Sequence, residues 1–220
     1  MARTAKEDLG QDVAADTVVL LHGIWMRGFA MGMLARRFQA AGFRTKVFEY
    51  ASLAHGADRS AERLGESLRQ LSDGGGAVHL VGHSLGGLVA LLATVDQSLP
   101  GRTICLGSPL LGSEAARRVA KFASWTMGES GDRLIAGLDH WRGPREVGVI
   151  AGRLPYGLAQ VLGGFGDDND GTVRVAETQL PGIQDHLVLP ASHSGLVFSQ
   201  DVANASVGFL RTGRFAFGSR

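Results

Sequence analysis

Residues 77–95 read AVHLVGHSLGGLVALLATV, and this stretch decides the fold. AVHLV is a short, mostly apolar run of strand length, and LVALLATV is apolar enough for a buried helix. Between them lies Gly82-His83-Ser84-Leu85-Gly86-Gly87, a G-x-S-x-G pattern placed between strand and helix. A serine there sits on a strained turn with its hydroxyl lifted above the sheet edge. The flanking glycines remove side chains that would clash where strand and helix pack so closely. The helix that follows aims its dipole and free N–H groups at Ser84, which favours developing negative charge. The competing reading is a glycine-rich turn with an N-capping serine, since serine is a preferred cap.

Outward from this stretch, short apolar runs alternate with helix-like spacing. Strands are expected at residues 17–21 (TVVLL), 45–50 (TKVFEY), 77–81, 103–106, 147–151 (VGVIA) and 186–189. Helical intervals fall at Met31, Leu34, Phe38 and Ala41, stopped by Gly42, and at Leu64, Leu68 and Leu71 before Gly74-Gly75-Gly76. Further helices are read over residues 85–95, over EAARRVAKFASW from Glu114, and over 196–210 at the end. Strands alternating with helices argue for βαβ units and a mostly parallel sheet covered on both faces. Ligands of such sheets bind outside the carboxyl ends of the strands.

The bulk numbers agree. The chain has 220 residues, 45% hydrophobic and 20% charged, so one self-sufficient core is expected and wholesale disorder is excluded. Lys+Arg number 22 against 21 Asp+Glu, leaving no basic excess for nucleic acid. The lone Cys105 excludes a disulfide framework and a cysteine metal cluster. The first sixteen residues are charged throughout without an apolar core, and no apolar run reaches bilayer-spanning length. A cytoplasmic monomer or small homo-oligomer is expected. Residues 1–16 are expected to form a flexible segment before a single domain over 17–220. A small cap is expected from 113–145 and a pocket loop at 154–169.

The GHSLGG elbow and the upstream His22-Gly23 turn resemble the α/β-hydrolases, on the lipase and esterase side of that superfamily. The likeness runs from about Val18 to about Leu210. Members usually begin with an extra antiparallel hairpin, so the resemblance implies a trimmed, roughly six-stranded version. It also implies a Ser–Asp–His triad in that chain order. Order removes His22, His55, His79 and His83, leaving His140, His186 and His193. His140 precedes the best acids and His186 sits inside a strand. His193, in Pro190-Ala191-Ser192-His193-Ser194-Gly195 before the last helix, falls where the family carries its base.

The acid maps onto Asp170, at the head of a D-G-x-V turn, with Asp168 in reserve. Asn169-Asp170-Gly171 is also a plain hairpin signal. Asp168, Asp170, Gly171 and Glu177 match part of an EF-hand loop, but Gly166 stands at its first position. About eighteen residues separate the fifth strand from Asp170, longer than the usual loop.

The resemblance implies oxyanion-hole donors at the Leu85 and Ile24 N–H groups, with Gly23 allowing close approach and His22 structural. Trp25, Met26 and Leu110 are expected to line the substrate groove, and Ser108-Pro109 to shape one side. Met31, Met33 and Phe29 are read equally as acyl site or core. The helix from Glu114 carries an apolar stripe (Ala116, Val119, Ala120, Ala123) and reads as a surface helix or a small lid making transient lipid contact. The expected activity is hydrolysis of small-molecule or lipid carboxylic esters without a cofactor. Thioesters and phospholipid acyl esters use the same machinery. A non-catalytic binding protein on the same fold is the alternative of another class.

Overall fold

A computed structural model describes residues 15–24, 26–123, 128–156, 166 and 168–215, without the side chains of 122 and 123. Six strands run β1 (Thr17–Leu21), β2 (Arg44–Phe48), β3 (Val78–His83), β4 (Thr103–Leu106), β5 (Val147–Gly152) and β6 (Asp185–Leu189). They form one sheet in the order β2-β1-β3-β4-β5-β6, every neighbouring pair parallel. The order steps outward from β1 in both directions, so the carboxyl ends of β1 and β3 flank the switch point.

Two apolar layers explain why the strands read as near-continuous hydrophobic runs. Side chains alternate across a strand, so both faces must be covered for β1 and β3 to be buried throughout. Val19, Leu21, Val78 and Leu80 pack with α2 (Ala57–Ser72) and α3 (Leu85–Thr94) on one face. Val18, Leu20, Val81 and Ile104 pack on the other with α1 (Gly32–Ala40) and α6 (Gln200–Thr212), through Phe38 and Phe209. Helix α3 is buried nearly all round, which is why its sequence is apolar without a polar face. Truncating Leu80 or Leu88, both 0% exposed, to alanine would cost about 2–5 kcal/mol. At the β2 edge, Arg44 and Lys46 point charge toward solvent, which blunts pairing with another chain.

The stretch from Ser113 is built on α4 (Glu114–Ala123) and α5 (Gly131–Ala136). Ala116 and Leu134 join the same apolar layer as α3, so this segment packs onto the sheet domain. Three details differ from the sequence reading. The closing helix is split: a 3-10 turn covers Ser194–Val197, and α6 restarts with Ser199 accepting the Val202 N–H at 3.3 Å. Helix α5 was not expected, because glycines at both ends of a six-residue helix hide its periodicity. Asp16 is pinned, its carboxylate accepting the Ala77 N–H at 2.7 Å and its carbonyl the Arg44 N–H at 2.9 Å. Residues 1–14 and most of the 154–169 loop lie outside the described residues. Among the described residues, no helix is long and apolar enough to cross a membrane.

Candidate active site

Ser84 stands between the last residue of β3 and the first of α3, with φ 55° and ψ −122°. It is the only non-glycine residue with positive φ among the described residues. Its side chain makes no capping bond to the helix, so the N-cap reading lacks its defining contact. The flanking glycines are required by contact: a Cβ on Gly82 would lie 2.4 Å from the Gly86 backbone, and one on Gly86 2.6 Å from the Leu21 carbonyl oxygen. The Ser84 N–H donates to the Leu106 carbonyl at 2.8 Å, continuing the β3–β4 ladder into the turn. The strain is thus held by a ladder bond and by backbone packed against backbone.

His193 and Asp170 come together from separate loops. His193 Nδ1 lies 2.7 Å from Asp170 Oδ2. A carboxylate only accepts, so Nδ1 carries the hydrogen, and in the neutral ring Nε2 then keeps its lone pair. Asp170 is 1% exposed, and its other oxygen accepts the Thr172 and Val173 N–H groups at 2.9 and 2.7 Å. The turn expected around Gly171 therefore exists, and its N–H groups orient the carboxylate. The His193 N–H also donates to the Asp170 carbonyl at 2.7 Å. Gly107 makes room for the pair, since a Cβ there would sit 2.9 Å from Asp170 Oδ2. Asp168 is exposed, and its backbone carbonyl accepts the Val175 N–H at 2.9 Å.

His83 links this pair to the elbow. Its ring centroid is 4.7 Å from that of His193, and its Nε2 lies 2.9 Å from the His193 carbonyl oxygen. Burial pushes its pKa down to about 3, so the ring is neutral. Gly23 closes the group: a Cβ there would lie 3.0 Å from Ser84 Cβ and 3.1 Å from His83 Nδ1. Ser84, His193, Asp170 and the Gly23 turn thus share one end of the sheet.

His22 is 2% exposed and stacks on Tyr50, centroids 4.4 Å apart, while the Tyr50 hydroxyl donates to the His22 carbonyl. Burial drives the Tyr50 phenol well above its ordinary range, so it stays a donor. Ile24 and Ser84 line one small, mostly apolar cavity of about 40 Å³, together with Pro109, Ala116, Val119 and Leu134. The Leu85 N–H belongs to the first residue of α3, where the helix supplies no acceptor for it.

The other expected contacts differ. Leu110 is 0% exposed and packs in the core beneath the turn, and Pro109 faces the cavity instead. The Leu110 N–H bonds the Ser108 carbonyl two residues back at 2.9 Å, so the chain turns tightly where Leu110 enters the core. Met26 lines a separate open depression of about 500 Å³ with His22, Glu49 and Tyr50. Met31 is core, while Phe29 and Met33 are exposed. Trp25 lies outside the described residues. Of the other histidines, His140 is exposed and His186 pairs with the Thr178 hydroxyl at 2.8 Å.

Glu177 accepts the Glu114 and Arg174 N–H groups at 2.6 and 2.9 Å. With Asp170 turned to His193 and Glu177 to these donors, the EF-hand-like residues do not converge. Among the described residues, no three His, Cys, Asp or Glu side chains gather as a metal site.

A six-stranded parallel sheet of this order, covered by helices on both faces, with a serine turn after its third strand, is that of a hydrolase fold. The alpha/beta hydrolase family model matches residues 18–206, and the chain belongs to that family. The lipase BlEst2 of Bacillus licheniformis in its mature form is similar in structure: TM-score 0.70, 20% identity, covering 84% of this chain and 88% of that one. The metagenomic carboxyl esterase MGS0156 gives TM-score 0.66 and 18% identity over 83% of this chain and 65% of that one. The phospholipase PlaB of Legionella pneumophila gives 0.70 and 17% over 87% and 56%. At these identities the likeness is one of fold. No curated protein matches the chain.

Proposed function

We propose that the protein is a serine hydrolase of carboxylic esters acting through an acyl-enzyme. Ser84 attacks the ester carbonyl, forming the C–O bond as its proton passes to His193 Nε2. Asp170 holds the ring in the Nδ1–H tautomer and stabilises the imidazolium. The Ile24 and Leu85 N–H groups receive the oxyanion, a donor of this kind being worth about 10²–10³ in rate. His193 then gives its proton to the leaving alcohol, and water, deprotonated by the same nitrogen, releases the acid. The observation that carries this reading is the 2.7 Å Asp170–His193 bond beside a serine in a strained backbone conformation.

The cavity beside Ser84 bears on substrate size. At about 40 Å³ it has room for on the order of three water-sized groups, which suits a short acyl chain. Each buried methylene adds about 0.8 kcal/mol to transition-state binding only while the cavity accepts it. The test is kcat/KM on p-nitrophenyl esters from acetate to palmitate, with acyl-CoAs and phospholipids alongside. The expected profile peaks at short chains and shows no rise at the micelle threshold. A preference for long-chain emulsions, or for thioesters alone, would overturn the assigned substrate class.

A further inference from the structure

His83 is buried, titratable and unused by the chemistry above, yet it touches the proposed base. The base's residue is held in three ways. Its Nδ1 and its backbone N–H both bond Asp170, and its carbonyl oxygen lies 2.9 Å from His83 Nε2. A carbonyl only accepts, so His83 Nε2 carries the hydrogen and Nδ1 is the bare nitrogen beside Gly23. Two of the three ties reach to the loop after β5. The third is the only one of them that reaches the strand bearing Ser84, one residue away along the chain.

We propose that His83 is a positioning residue, which sets the distance between the nucleophile elbow and the base by tethering the His193 carbonyl. The inference rests on the reading of Ser84 and His193 as nucleophile and base. A backbone tether is suited to this role because it fixes the loop without competing for the imidazole nitrogens. Neutrality matters as well. Among the described residues, the titratable groups in contact with His193 are Asp170 from the loop after β5 and His83 from β3, with His22 just after β1 acting on His83. A charged ring at 4.7 Å would oppose the imidazolium that forms when Ser84 is deprotonated. Full burial keeps His83 uncharged, so it orders the loop without that penalty.

The experiment compares His83→Gln with His83→Asn. Glutamine can place its amide nitrogen where Nε2 stands, whereas asparagine is one bond short, and the two burden folding alike. Active-site titration with a fluorophosphonate normalises each rate to competent enzyme. The Gln variant should keep kcat within about 3-fold of wild type. The Asn variant should lose about 10–100-fold in kcat with KM within about 2-fold, as misplacement of a catalytic group does.

Equal kcat in the two variants, or a loss in the Asn variant that falls on KM rather than kcat, would overturn the tether. Failure of wild type to label at Ser84 would overturn the underlying reading and this role with it, and the titration separates the two cases. If neither variant folds, ¹⁵N shifts of the wild-type ring decide. They must report a neutral Nε2–H tautomer between about pH 5 and pH 9, and any other state refutes the tether.

Discussion

Replacing Ser84 by glycine should stabilise the protein relative to replacing it by alanine, although both variants should be inactive. The backbone at this position has φ 55° and ψ −122°, a conformation that a Cβ disfavours. Such residues store about 1–3 kcal/mol. Alanine keeps the Cβ and hence the strain. Glycine removes it. Against this stands the extra freedom glycine loses on folding, about 0.5–1 kcal/mol. The net is about 1 kcal/mol in favour of Ser84→Gly, or roughly 2–4 °C in Tm for a domain of this size. The assay is calorimetry of the two variants in one buffer, supported by urea unfolding with matched m-values. Ser84→Gly melting at or below Ser84→Ala would mean that the turn is not strained and that the elbow argument fails.

Three further outcomes follow from the same geometry. Asp170→Asn should lower kcat by about 10⁴, because the amide cannot hold the Nδ1–H tautomer, while exposed Asp168→Asn should change it less than about 3-fold. Equal losses in steady-state assays would reassign the acid. Gly107→Ala should cost about 1–3 kcal/mol and at least about 10-fold in kcat, since its methyl would press on Leu196, Asp170 and His193 together. An active, fully stable variant would show that the pair tolerates being pushed apart.

The last concerns pH. Burial lowers His83 to about 3 in the fold from an ordinary 6.5, so the unfolded chain takes up this proton first as the solution acidifies. The stabilisation is complete above pH 6.5 and is lost as pH falls toward 3. His79 and His186, also pushed down by burial, act in the same sense. Between about pH 6.5 and 5 wild type should lose about 2 kcal/mol more than His83→Gln, and parallel urea-unfolding curves would contradict this.

Most of the fold was legible because its strands are buried on both faces and so stand out as apolar runs between glycine-rich breaks. Thr17–Leu21 and Thr103–Leu106 were read to the residue for that reason. The 45–50 run shifted to Arg44–Phe48, since β2 is an edge strand whose alternate residues face solvent and whose ends are weakly marked. Ser84 was visible because the glycine requirement is local: Gly82 meets Gly86 across the turn itself. His193 and Asp170 were reached through chain order and a turn signature, and the geometry brings them within hydrogen-bond distance.

What stayed hidden depends on contacts between distant residues. His83 meets a carbonyl 110 residues away, Tyr50 one 28 away, and Glu177 caps a helix 63 residues before it. No spacing rule encodes those. Leu110 was misplaced because a turn's sequence does not say which of two neighbours faces inward. His83 was set aside on chain order, a rule that finds bases and is blind to residues that hold them.

The central claim is that Ser84 is the nucleophile of an acyl-transfer site, and covalent labelling tests it most directly. Wild type and Ser84→Ala are incubated with a fluorophosphonate, digested, and the adduct located by mass spectrometry. The geometry predicts one adduct, on Ser84, and none in the alanine variant. An adduct on Ser108 or Ser194, or undiminished labelling of Ser84→Ala, would contradict the account.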